Sequence, residues 1–221
     1  LHSRIDDRVE RVVSQICVGN TYVNRNQVGA VVGSQPFGGE GLSGTGPKAG
    51  GPDYIARFTH VAPPVLGGDM ADSEAASVAR SLQSEAPLHQ AIHVLNMPGP
   101  TGESNRLSAY ARQPLLCLGP SWEQVLAQAE AVRALGGEAV EAGRLAADPL
   151  TALQGFSGAL WWGDAEQGRA YAQALAAREG PILPLIGGMP DAAHVRLERH
   201  VCIDTTASGG NAQLLAEMGE A

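Results

Sequence analysis

The chain has 221 residues, 44% apolar and 17% charged, enough to bury the core of one large domain or two small ones and far from the composition of a disordered segment. A net charge of −8 at neutral pH argues against nucleic-acid binding by these residues, because no basic face is left to neutralise a phosphate backbone. No apolar run is long enough to span a bilayer, and Leu1-His2-Ser3-Arg4 lacks the organisation of a signal peptide, so the chain reads as soluble.

Leu1, Ile5, Val9, Val12 or Val13, and Ile16 recur at helical spacing with Asp6, Asp7, Arg8, Glu10 and Arg11 opposite, which predicts an amphipathic helix. Val18 to Asn24 is β-branched and aromatic enough for a strand, and it leads into a glycine-crowded stretch from Asn24 to Gly51. Glycines there expose backbone amides and let the main chain approach a ligand closely, so the stretch reads as a binding loop. A short helix opens at Gly51–Ile55. Arg57 to Ala62 reads as an extended arm that Pro63-Pro64 stops. Ala71 to Ser84 predicts a helix ended by Glu85-Ala86-Pro87.

From Pro114 the pattern turns to alternating units. Leu115 to Leu118 is a strand, Ser121 to Leu135 a helix capped by Ser121, and Glu138 to Val140 a strand. Gly158 to Trp162 is a strand, Asp164 to Arg178 a helix, and Pro181 to Ile186 a strand. This βαβ rhythm predicts an α/β fold with a parallel, Rossmann-like sheet. The tail from Arg199 to Ala221 reads as a strand at His200–Asp204, a small-residue turn and a short helix. The first residue is Leu and helical periodicity begins at once, which predicts the carboxyl-terminal piece of a longer protein.

Few side chains invite chemistry. Cys17, Cys117 and Cys202 are odd in number and set among apolar neighbours, which suits reduced structural thiols. His89 and His93 stand four apart, but with no carboxylate between them and no third ligand they read as surface or interface histidines, and no metal site is expected. Trp161-Trp162 ends an apolar strand and reads as core or an interdomain contact. Gly39-Glu40-Gly41-Leu42-Ser43-Gly44 spells Gly-x-Gly-x-x-Gly, yet it follows Pro36-Phe37 and runs into Gly46-Pro47 instead of joining a strand to a helix, so it is not a dinucleotide fingerprint. Leu118-Gly119-Pro120-Ser121 also lacks that fingerprint, so no NAD site is expected on the later sheet.

Pro36-Phe37-Gly38-Gly39 followed by Leu42-Ser43-Gly44 resembles the late signature of the aldehyde dehydrogenase superfamily. Tyr22 to Asn26, Val28 to Gly33 and Gly44 to Gly51 narrow the resemblance to pyrroline-5-carboxylate dehydrogenases and the bifunctional proline utilisation A family. Pro98 to Asn105 and Asp204 to Ala212 resemble later segments of that family. The resemblance implies the following layout. Residues 1–58 complete a glutamate semialdehyde dehydrogenase catalytic domain, 59–68 form a linking arm, 69–198 form a non-catalytic aldehyde-dehydrogenase-like domain, and 199–221 form a tail that seals a cavity.

It also implies that Gly29 and Ala30 hold the substrate α-carboxylate on backbone amides and that Phe37 lines the aldehyde tunnel. On the residues alone, Phe37 also reads as core and the glycines as tight turns. No residue of this segment is expected to be the nucleophile, which the resemblance puts upstream with the NAD and FAD sites. The whole protein would then oxidise proline and glutamate semialdehyde, pass the intermediate between active sites, self-associate, and work in the cytoplasm or peripherally at the inner membrane. A non-catalytic oligomerisation or structural module is the alternative.

Overall fold

The computed structural model describes residues 1–82 and 90–206. In chain order the elements are α1 (Asp6–Gln15), β1 (Asn20–Val23), α2 (Ala75–Ser81), β2 (His93–Met97), β3 (Glu103–Ala111), β4 (Leu115–Cys117), α3 (Trp122–Ala134), β5 (Ala139–Glu141), β6 (Gly158–Leu160), α4 (Ala165–Ala176), β7 (Leu185–Ile186), α5 (Ala192–Val195) and β8 (Arg196–Asp204). Two compact units divide them. One gathers Leu1–Tyr54, His89–Tyr110 and Glu198–Ala221, the other Ile55–Leu88 and Ala111–Leu197. No helix among the described residues is long and apolar enough to cross a membrane.

The first unit is built on a four-stranded mixed sheet in the order β1-β8-β3-β2. β1 and β8 are parallel, with Asn20 opposite His200 and Tyr22 opposite Cys202, while β2 and β3 form an antiparallel hairpin. Strand alternation sorts the side chains by face. Val23, Val201 and Ile203 meet Val9 and Val13 of α1, the small apolar core of this unit. Asn20, Tyr22, Glu198, His200 and Cys202 occupy the alternate positions, so the opposite face of β1 and β8 is polar and largely buried.

The second unit has a parallel sheet ordered β5-β4-β6-β7. Both faces are covered, as the short unbroken apolar strands require. Leu116 and Ala159 face Tyr171 and Leu175 of α4, whereas Leu115, Cys117 and Leu160 face Val125, Ala129 and Val132 of α3. Ser121 caps α3 by accepting the Gln124 N–H (3.3 Å), and Asp164 caps α4. The α/β class and the parallel sheet are those expected from the sequence.

Several expectations differ from the structure. Of the arm expected over Arg57 to Ala62, Arg57 and Phe58 close into the 3-10 turn Ile55–Phe58, and the Val61 carbonyl accepts the Met189 N–H (3.0 Å). The helix expected over 71–84 runs from Ala75 to Ser81, and the expected stop at Glu85-Ala86-Pro87 lies outside the described residues. The hairpin of β2 and β3 has no counterpart in the sequence reading. His93 sits in β2, so it shares no helical face with another histidine, and His89 lies outside the described residues. With this hairpin in the first unit, the second is not one continuous stretch. The turn and short helix expected beyond Thr206 also lie outside the described residues.

Candidate functional site: a glycine loop over a buried polar sheet face

The loop from Asn24 to Gly51 lies against the polar face of the first sheet, and buried side chains fix it there. Asn20 of β1 clamps the Pro36-Phe37-Gly38 stretch from both ends of its amide, donating to the Pro36 carbonyl (2.9 Å) and accepting the Gly38 N–H (3.1 Å). Phe37 and Ala49 exchange backbone bonds of 3.0 and 2.8 Å, which closes the loop's base. Lys48, 1% exposed, sends its ammonium to the Gly38 carbonyl (2.6 Å) and to Asn20 Oδ1 (3.1 Å), while its own N–H is taken by the Glu198 carboxylate (2.8 Å). Burial pulls the Lys48 pKa down to about 8, against the opposing pull of Glu198 and Glu40. At the same level Arg199 grips Glu40 with two bonds of 2.8 and 2.7 Å and stacks over the Tyr110 ring.

A second cluster lies under residues 25–35. Arg25 donates to Glu103 (2.7 Å) and contacts the Cys202 sulfur (3.3 Å), and Gln35 donates to Glu103 (2.9 Å) and approaches the same sulfur (3.4 Å). Asn105 completes the ring of donors around Glu103 (2.8 Å). Cys202 is therefore buried among polar groups, not apolar ones; burial raises its pKa despite Arg25. Cys17, also expected among apolar neighbours, is exposed. Cys117 lies in the core of the second unit, where burial lifts its thiol to about 12. His200 is fully buried beside this cluster. Its ring contacts the Ser34 backbone without reaching hydrogen-bond geometry, and burial, reinforced by Lys48, lowers its pKa to about 4.

Above these anchors the loop exposes amides and apolar side chains. Asn26 accepts the Val28 N–H (3.1 Å) and Gln35 accepts the Val31 N–H (3.1 Å). Between them, the N–H groups of Gly29 and Ala30 find no acceptor among the described residues. Gly29 has φ +74°, a conformation glycine adopts without strain, and open space where a Cβ would sit. Val28, Val31 and Val32 flank this pair in sequence and are exposed, Val32 at 95%, and Phe37 further along the loop is 54% exposed. Phe37 is thus not a core residue within this chain. The structure brings Gly29, Ala30 and Phe37 onto one loop.

Neither glycine turn fits a dinucleotide. At Gly39–Gly44 the chain makes a single 3-10 turn and opens no helix, and the Ser43 carbonyl lies 2.3 Å from where a Gly39 Cβ would be, so that glycine serves packing within the loop. At the first strand-to-helix turn of the second unit, Gln128 bonds both the N–H and the carbonyl of Gly119, and the Met70 side chain lies against Gly119. Ser121 and Gln124 of the same helix start donate to the Leu66 and Pro64 carbonyls. The segment 64–70 thus occupies the place where a doubly wound fold receives phosphates.

Lys48, Gln35, Glu103, Glu198 and His200 were not singled out from the sequence. Glu103-Ser104-Asn105 and Glu198-Arg199-His200 are polar at every position, so no alternation marks which of these side chains the fold buries.

Residues 1–62 match the aldehyde dehydrogenase family, in agreement with the helix, strand and glycine loop found there. The chain is 34% identical to the bifunctional protein PutA of Escherichia coli K12, over 97% of this chain and 20% of that protein. It is 37% identical to the Rhizobium meliloti protein of the same name, over 98% and 21%. A stretch of 50 residues is 56% identical to a 1-pyrroline-5-carboxylate dehydrogenase of Bacillus thuringiensis, covering 23% of this chain and 10% of that protein. The solved structure of proline utilization A from Corynebacterium freiburgense covers 93% of this chain and 22% of its own, with a TM-score of 0.50 and 24% identity, a likeness of fold. The chain spans about a fifth of the length of these PutA relatives. It is a PutA C-terminal-like segment.

Proposed function

We propose that this segment belongs to a bifunctional enzyme that oxidises proline with FAD and then glutamate semialdehyde with NAD, and that it supplies the anchor for the aldehyde's α-carboxylate. The observation that carries the reading is the pair of unclaimed N–H groups at Gly29 and Ala30, held between two amides the loop satisfies itself. A carboxylate accepting both gains charge-assisted bonds with no cationic side chain buried for the purpose. Phe37 would cover the aliphatic part of the same substrate. Residues 1–58 would complete the catalytic domain, 59–68 would link, 69–198 would serve as a non-catalytic domain, and 199–221 would seal the cavity through which the intermediate passes. The nucleophile and both cofactor sites would be supplied by other parts of the full protein, which would act in the cytoplasm or at the inner membrane face as an assembly of subunits.

The test is NAD-dependent oxidation of pyrroline-5-carboxylate by the full-length chain and its Ala30→Pro variant, which lacks one anchoring N–H. The expected result is a raised KM for this substrate with little change for propanal, which has no carboxylate. Equal loss on both aldehydes would refute the anchor, and an inactive native protein would favour the structural-module reading.

A further inference from the structure

The proposed anchor needs its two amides held still, and one side chain does this from below. Gln35 is 2% exposed and engages Val31 twice: its backbone N–H donates to the Val31 carbonyl (2.9 Å), and its side-chain oxygen accepts the Val31 N–H (3.1 Å). Both polar groups of the residue next to Ala30 are thereby fixed. The other end of the Gln35 amide donates to Glu103 Oε1 (2.9 Å), which also receives Asn105, while Glu103 Oε2 receives Arg25. Glu103 begins β3, in the hairpin that is separate in sequence from the glycine loop. With one face of the amide on the loop and the other on the hairpin, Gln35 is the only described side chain that bonds both Val31 and Glu103.

We infer that Gln35 is a positioning residue for recognition of the α-carboxylate, and that Glu103 acts through it to set the direction of the Gly29 and Ala30 amides. This rests on the proposed anchor. The role is specific to substrates bearing a carboxylate next to the amine-bearing carbon, because a slackened Val31 moves the amides without removing the nucleophile or the Phe37 wall. A neutral hydrogen bond is worth about 0.5–1.5 kcal/mol net, so loss of the Val31 brace corresponds to a weakening of carboxylate recognition of up to about tenfold.

The experiment uses the full-length native chain with three variants: Gln35→Met, Gln35→Glu, and the exchange Gln35→Glu with Glu103→Gln. Methionine keeps the volume and removes both bonds. Glutamate keeps the acceptor for Val31 but faces Glu103 with like charge, and the exchange restores a donor across that contact with the same net charge. The expected result is a KM for pyrroline-5-carboxylate raised by up to about tenfold in Gln35→Met and raised in Gln35→Glu, kcat and the propanal kcat/KM within about twofold of wild type, and recovery in the exchange. Wild-type KM in Gln35→Met, or an equal loss on propanal, would overturn the inference while leaving the anchor standing. Lack of recovery in the exchange would overturn the part assigned to Glu103. If the Ala30→Pro comparison fails in the native protein, the anchor falls and this inference falls with it.

Discussion

Gly19 precedes β1 where the chain packs against Gly38 and Lys48 of the glycine loop. A Cβ added there would lie 2.0 Å from the Gly38 carbonyl oxygen and 2.8 Å from the Lys48 ammonium. Ordinary contact needs about 3.4 Å, so Gly19→Ala must drive Gly38 away by more than an ångström or shift β1 itself. Neither can yield cheaply. The Gly19 carbonyl accepts the His200 N–H of β8 (2.9 Å), and the Gly38 carbonyl is held by Lys48 (2.6 Å). Overpacking of this kind costs about 1–3 kcal/mol, and displacing the charged Lys48 bond adds about 1.5–3 kcal/mol. The expected total is on the order of 3–5 kcal/mol, concentrated in the loop.

Amide hydrogen exchange over residues 36–49 of the full-length protein is the direct assay, with Gly187→Ala as control because open space surrounds that position. The alanine at 19 should accelerate exchange in the loop by at least about a hundredfold if the full cost is local. Exchange as in the wild type and an unchanged denaturation midpoint would refute the packing argument.

His200 carries a lowered pKa of about 4, so the unfolded chain binds more protons than the folded one between that value and about 6.5. Stability of β8 should therefore be complete above about pH 6.5 and fall as pH drops toward 4, by about 3 kcal/mol at most; His200→Gln should flatten that dependence in a pH series of urea midpoints. In the second unit, Tyr171 is fully buried and donates to the Leu145 carbonyl (2.7 Å). Tyr171→Phe leaves that carbonyl unpaired and should lower stability by about 1–2 kcal/mol in denaturant titration, whereas no loss would mean that the carbonyl finds another donor.

The parallel sheet was legible because each of its strands is a short apolar run between helical stretches with clear caps, and Ser121 appears where a cap must be. The hairpin was hidden for the opposite reason. Asn105, Arg106 and Ser108 have weak strand propensity, and β3 exists because β8 and β2 flank it, a tertiary effect that no local pattern records. The glycine loop announced itself by composition, but its supports did not. Lys48 and Glu198 lie 150 residues apart, and only the parallel pairing of β1 with β8 makes them neighbours.

That separation orders events during synthesis. The loop residues leave the ribosome well before Glu103, and roughly 150 residues before Glu198 and His200; at ordinary elongation rates the wait is on the order of 10–30 s. Throughout it the Lys48 N–H lacks the Glu198 carboxylate and the polar face of β1 lacks its parallel partner strand. The region that would read the substrate is therefore secured only once β8 has been made, and a chain released before it would carry the whole recognition sequence without the strand that holds it in shape.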